Sequence, residues 1–235
     1  MNILAIDTSN QVMGVAISKK SQLEAEYITN MKRNHSIGLM PAIDHIMRET
    51  NTLPNDLDQI VVAKGPGSYT GVRIGLSTAK TMAWSLDIPI AAISSLELVA
   101  YNGMGQAKYI CPFFDARRGL VYTGLYQQED NRLVLAKKEQ NISFTEWLEE
   151  LNNIGEPILF LSQDLELHRS TIVSILGDNA IFPALNTLHL PRPGVLLSLA
   201  GERQPEITHN ITPNYLRLVE AEAKWIKEQG LKENE

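Results

Sequence analysis

Asn2-Ile3-Leu4-Ala5-Ile6-Asp7 is an apolar run that ends on a carboxylate, and Thr8-Ser9-Asn10 closes it as a polar turn. Such a run, too short for a helix and bounded by turn residues, predicts a buried strand. Two more strands are expected close behind, at residues 12–18 and 21–29, where β-branched and small residues dominate. The short polar turns between them predict an antiparallel meander.

Outward from this meander the period changes. Leu39, Ile43, Ile46, Met47 and Thr50 repeat at helical spacing behind a capping candidate, Asn34 or Ser36. Pro41 is compatible with that helix if it lies in the first turn. Residues 59–64 predict a buried strand, 65–68 a turn, 69–86 a long helix, 88–93 a strand, and Ser94-Ser95 the cap of a helix to about residue 101. The order βββαβαβα matches half of an actin-like, RNase-H-like α/β domain. Residues 102–106, with two glycines, read as a linker. Strands follow near 108–115, 120–127 and 133–138, then a helix near 144–151 and a strand at 157–161. The segment 163–212 carries Pro183, Pro191, Pro193 and Pro205 and shows no clear period. A last amphipathic helix is expected near 219–229. The expected division is a first unit over residues 1–103 and a smaller second unit over 104–235, whose terminal helix is able to pack back on the first. No sequence repeat stands out.

The net charge of -6 is a poor match for RNA phosphates. Any RNA that this chain serves is expected to be held mainly by something else. The one cysteine, Cys111, lies in an apolar run and reads as a buried core thiol. With the lone cysteine this composition leads us to expect a cytoplasmic chain, and the N-terminus, with neither a basic leader nor a membrane-length apolar run, to expect no membrane partner.

The motif that invites a chemical reading is Gly65-Pro66-Gly67-Ser68-Tyr69-Thr70-Gly71-Val72-Arg73-Ile74-Gly75. A glycine-rich turn that opens a helix attracts anions. However, a P-loop needs Lys followed by Ser or Thr after its last glycine, where Val72 stands, and a dinucleotide fingerprint needs Gly or Ala at Thr70. Gly71, Gly75, Ala79 and Ala83 recur every four residues and so share one stripe. A mid-helix glycine costs about 1 kcal/mol relative to alanine. Two of them require a close neighbour, either the chain's own sheet or a partner helix.

Asp7-Thr8-Ser9 sits where actin-like ATPases place a phosphate-binding turn, and Asp115 marks the second half-site. Both lack the glycine that lets a backbone approach phosphate. The pair therefore reads as a degenerate nucleotide site. His35, His45, His168, His189 and His209 are never three to five residues apart, so no helical metal pair exists and no metal is expected. No nucleophile elbow Gly-x-Ser-x-Gly occurs.

These stretches resemble the TsaB family, formerly called YeaZ, over essentially the whole chain. The resemblance rests on residues 3–9, on Asn34-His35-Ser36 with Leu39 and Pro41, and above all on residues 64–84. Asp115-Ala116-Arg117-Arg118 and Pro213-Asn214-Tyr215-Leu216-Arg217 support it. The family is similar to TsaD, which carries two metal-binding histidines four apart on its first helix; here those positions are His35 and Leu39. The resemblance implies a two-domain actin-like fold and a non-catalytic subunit of the machinery that makes threonylcarbamoyladenosine beside the tRNA anticodon. It implies TsaD as partner, TsaE as the ATPase of the same complex, a homodimer when alone, and no cofactor of its own. Pairing is expected through the first two helices, with His35, Leu39, Ile43, Met47, Tyr69, Gly71, Val72, Arg73, Gly75, Leu76 and Ala79 at the interface. The rival expectations are a metal-dependent hydrolase of the glycoprotease type and an ATP-dependent kinase on the same fold.

Overall fold

The computed structural model describes residues 1–31, 34–201 and 203–216. The opening strands are β1 (Ile3–Asp7), β2 (Met13–Lys19) and β3 (Gln22–Thr29), paired antiparallel as expected. Helix α1 (His35–Glu49), β4 (Gln59–Ala63), α2 (Tyr69–Leu86), β5 (Ile90–Ile93) and α3 (Ser95–Tyr101) follow. β4 runs parallel to β1, and β5 parallel to β4, so the sheet order is β3-β2-β1-β4-β5.

The second half repeats this plan. Strands β6 (Tyr109–Asp115), β7 (Leu120–Glu129) and β8 (Arg132–Ser143) form the meander, followed by α4 (Phe144–Asn152), β9 (Ile158–Leu161), α5 (Leu165–Leu176) and the short β10 (Ala180–Ile181). Its sheet order, β8-β7-β6-β9-β10, is that of the first sheet, strand for strand. The fold is thus a duplicated actin-like α/β unit. The duplication is carried by topology, which is why no repeat is visible in the residues.

Strand periodicity decides which side chain meets which helix. Leu4 and Ile6 point to the face covered by α1 and α2, with Val15, Ile17, Ile60 and Val62 beside them. Ile3 and Ala5 point to the opposite face, covered by α3 and by α6 (Pro193–Ala200). In the second sheet Cys111, Phe113 and Phe160 meet α4 and α5. On the other face Ile110, Leu159 and Leu161 meet Leu96, Val99 and Ala100 of α3. Leu98 of that same helix packs on the first sheet. α3 therefore lies between the two sheets and joins their cores.

Two expectations need correction. Pro41 lies in the second turn of α1, not the first. The carbonyl it leaves without an amide belongs to Ile37, whose side chain is exposed, so water is at hand to satisfy it. The division at residue 103 also fails to hold the rest of the chain in the second unit. α6 packs on β1 and β2, and the Glu26 carboxylate caps it by accepting from Gly194 N at 2.8 Å. Glu206 N then donates to Ile90 O at 2.9 Å, extending the edge of the first sheet. The segment from about residue 190 onward thus returns to the first unit. The helix expected at 219–229 lies outside the described residues.

α2 touches the sheet through its glycine stripe. A Cβ on Gly75 would collide with Thr8 Oγ1, and one on Gly71 with the Thr8 carbonyl. The Thr8 hydroxyl fills the notch between them and donates to Gly71 O at 2.7 Å. We expect Gly75→Ala to destabilise the protein despite a helix-propensity gain of about 1 kcal/mol. Overpacking costs about 1–3 kcal/mol and the lost hydrogen bond about 1 more. Because the closest atom is a hydroxyl oxygen, Thr8→Ala should recover part of that loss. Urea melts of the two single mutants and the double mutant check this, and additive losses would exclude the contact.

Candidate functional site

The two half-sites anticipated at Asp7 and Asp115 occupy equivalent places, each at the end of the first strand of its sheet. Their local geometry also matches. Asp7 Oδ1 accepts from Ser9 N at 2.8 Å, and Asp115 Oδ2 accepts from Arg117 N at 3.1 Å, the same contact two residues on.

The first half-site is tied to the start of α2. Ser9 O accepts from Ser68 N at 2.7 Å, so the start of α2 is bonded directly to the turn after β1. Gly67 lies against the Ser9 carbonyl with no room for a Cβ, and Ser68 Oγ takes the Gly71 amide at 3.2 Å as the helix cap. Two amides at the start of α2, those of Ser68 and Gly71, are thereby used within the chain. Asp7 itself is buried, and its Oδ2 has no partner. Burial pushes its carboxyl above the usual carboxylate range, against the opposing pull of the Ser9 hydrogen bonds and the nearby His35.

The second half-site is tied down differently. Asp115 Oδ1 pairs with His168 Nε2 at 3.1 Å, and Asp115 N donates to Asp164 Oδ2 at 3.0 Å. His168 is held edge-on by Phe113 and Phe144. The contacts of His168 and Asp164 with Asp115 are not legible in the sequence, because the parallel pairing of β6 with β9 is what brings the start of α5 to Asp115. The adjoining turn is strained, with Arg117 and Arg118 at φ 67° and 57° ahead of Gly119. Each non-glycine residue in that region costs about 1–2 kcal/mol. Between this turn and the start of α2 lies a cleft of about 400 Å³, lined by Asn10, Gln11, Ser68, Tyr69, Asp115 and Arg117 among others.

The residues expected to pair with a partner divide sharply. Leu39, Ile43, Met47, Gly71, Val72, Gly75, Leu76 and Ala79 are buried in the chain's own structure and present nothing outward. The reason is one of priority: a helix turns its continuous apolar stripe to its own sheet, where burial is greatest. Only His35, Tyr69 and Arg73 reach the surface. His35 Nε2 lies 2.7 Å from Asn10 O. The Arg73 guanidinium lies 3.9 Å from the Tyr69 ring centre, and its Nε donates to Tyr215 Oη at 2.6 Å. The outward side of the two helices is nonetheless apolar in places the periodicity did not flag. Ile37 is 73% exposed, Met40 51% and Trp84 69%.

Elsewhere, Cys111 is the buried core thiol expected, with a pKa pushed up to about 11 by burial. Among the described residues no helix is long and apolar enough to cross a membrane.

A family model described as "TsaD: tRNA N6-adenosine threonylcarbamoyltransferase" matches residues 22–225. The tRNA threonylcarbamoyladenosine biosynthesis protein TsaB of Bacillus subtilis is 50% identical over 97% of this chain and 100% of its own length. The Escherichia coli protein of the same name is 32% identical over 56% of this chain and 57% of its own. Among solved structures, a Pseudomonas aeruginosa protein described by its similarity to the peptidase YEAZ superposes with a TM-score of 0.77. It is 24% identical and covers 92% of this chain and 99% of its own.

The buried Asp7 makes a pH-dependent expectation. A carboxyl whose pKa is raised by folding favours the folded state below its unfolded pKa of about 3.8, and that advantage is lost as pH rises through the folded value. Asp7→Asn removes the buried charge and keeps an oxygen for the Ser9 amide. The variant should therefore melt higher than the parent at pH 7, with the gap closing as pH falls toward 4. Paired thermal melts across this range check it, and a gap that widens on acidification would reverse the assignment.

Proposed function

The chain belongs to the TsaB family of tRNA threonylcarbamoyladenosine biosynthesis proteins, within the wider TsaD family, and from that premise we propose that it is a non-catalytic partner subunit that pairs with a TsaD-type transferase through the outward side of α1 and α2. The observation that carries this reading is the bond from Ser68 N to Ser9 O. It ties the turn after β1 to the start of α2, while the helices above it keep exposed apolar side chains. Ile37 and Met40 on α1 and Trp84 on α2 are the anchors, with the Asp44–Arg48 pair on the exposed side of α1. Large apolar and aromatic side chains carry most of the energy at such interfaces.

On this reading the free chain forms a homodimer through the same side, and TsaD displaces the second copy. ATP is used by the partner subunits, TsaE among them, and tRNA is held mainly by the complex in the cytoplasm, in keeping with the net charge of -6. A hydrolase reading finds no support in the helix that would supply metal ligands, since His35 is turned to Asn10 O and Leu39 is in the core. A kinase reading meets the same obstacle at Ser9 and Ser68.

Trp84→Ala combined with Ile37→Asp should weaken pairing with purified TsaD at least about tenfold, since two anchors are lost, and should leave the melting temperature near that of the parent. Sedimentation or a binding titration measures the first and circular dichroism the second. A folded double variant that pairs at parental strength rules out this face. Steady ATP hydrolysis by the isolated chain, abolished by Asp7→Ala, would overturn the non-catalytic assignment.

A further inference from the structure

The segment that returns to the first unit is fixed on both sides of Tyr215. Before it, Ile211 is buried in the first core, and its carbonyl accepts from Lys80 Nζ at 2.8 Å. Asn214 N donates to Lys64 O at 2.8 Å, and Asn214 Nδ2 donates to Glu139 Oε2 at 2.9 Å. Glu139, on β8, also accepts from Ser94 Oγ and Tyr126 Oη, so it is itself held from both sheets. After Tyr215, Leu216 packs against the cluster that joins α3 to the second sheet.

Tyr215 is the exposed residue in this fastened run. Its ring is 44% exposed and stacks on Tyr69, itself 46% exposed, with ring centres 5.6 Å apart. Its hydroxyl accepts from Arg73 Nε at 2.6 Å, and the Arg73 guanidinium lies 3.9 Å from the Tyr69 ring centre. Two aromatic rings and a guanidinium thus form one outward cluster. A half-exposed ring gains little from its own burial, yet its stack, its hydroxyl and both chain neighbours hold it in place. An aromatic surface ordered in advance loses little side-chain freedom when a partner covers it. The cluster is also continuous with the side of α2 that carries Trp84. Tyr69, Arg73 and Trp84 follow at spacings of four and eleven residues, which keep them on one side of a helix.

We propose that Tyr215 is a further anchor for the TsaD-type partner, contributed by the returning segment, and that Asn214, held by Glu139, is the residue that positions it. This inference rests on the pairing reading given above. It extends that surface beyond the two helices to a residue 131 positions after Trp84 in the chain. Tyrosine and arginine are enriched among the residues that carry binding energy at interfaces, and the cluster presents both together. Asn214 need not touch the partner. Its contact with Glu139 fixes the backbone from which the ring projects.

Binding titrations of the full chain with purified TsaD test the assignment. Tyr215→Ala should weaken pairing about tenfold, as expected of an aromatic anchor, whereas Tyr215→Phe, which keeps the ring, should stay within about threefold of the parent. Asn214→Ala should weaken pairing about threefold alone and add nothing in the Tyr215→Ala background, because its effect passes through that ring. Circular dichroism confirms that each variant folds. If Tyr215→Ala does not fold, hydroxyl-radical footprinting of the parent chain decides, with Tyr215 protected in the complex and reactive in the free chain. A folded Tyr215→Ala that pairs at parental strength, or a Tyr215 ring equally reactive in both states, would overturn the anchor. Equal losses from Asn214→Ala in both backgrounds would overturn the positioning role. If Trp84→Ala with Ile37→Asp weakens pairing and Tyr215→Ala does not, this inference alone fails; if neither weakens it, the pairing face fails with it.

Discussion

The Thr8 hydroxyl, seated between Gly71 and Gly75 and bonded to the Gly71 carbonyl, is the contact on which the packing of the first unit's second helix depends. It sets how closely α2 lies on the end of β1. At that distance Ser68 N reaches Ser9 O, and the turn after the strand is tied directly to the helix start. A side chain at either glycine would collide with Thr8. The bonded turn and the close seat of α2 on the sheet are therefore consequences of one packing decision. The cost of the mid-helix Gly75, about 1 kcal/mol, is offset by sheet contact that only a bare backbone permits.

The rest of the first unit reinforces that placement from the other flank. Lys80 Nζ donates to Ile211 O at 2.8 Å, and Tyr215 stacks on Tyr69 while accepting from Arg73. The chain that returns from the second unit is thus fastened along α2. Asn214 binds the first sheet at Lys64 and the second at Glu139. A displacement of one sheet relative to the other would have to pass through a segment that also grips the proposed pairing helix. That arrangement gives a physical route between the seam and the helix without requiring any bound nucleotide.

Much of this was legible in the residues. The meander, the alternation of Ile3, Leu4, Ala5 and Ile6 between two faces, and the end points of α2 follow from period and capping. The glycine stripe was also visible, but its direction was not. Periodicity says that a stripe is buried and cannot say against what, and the deciding atom, Thr8 Oγ1, lies 63 residues away in sequence. The same limit hid His168 and Asp164, which depend on a parallel strand pairing. It also hid α6, whose prolines and short length masked a helix capped by a glutamate from β3. The exposed anchors Ile37, Met40 and Trp84 escaped for the opposite reason. An apolar residue off the main stripe looks like noise until the stripe's own direction is known.

The two halves share a topology yet have diverged in what they expose. On α1 and α2 the outward side carries Ile37, Met40 and Trp84. On α4, which holds the place of α1, the outward residues include Glu146, Glu149 and Glu150. A duplicated fold offers two equivalent helical faces, and burying an apolar one on a partner is favourable where burying a carboxylate cluster is not. The acidic face stays solvated and keeps the chain's like charges at the surface. Apolar exposure is not confined to the first half, since Leu167 and Val173 on α5 are 71% and 47% exposed. Composition alone would have called both faces ordinary protein surface. The distinction comes from the sheet-facing stripes, which fix the helices and thereby decide which side chains are left outside.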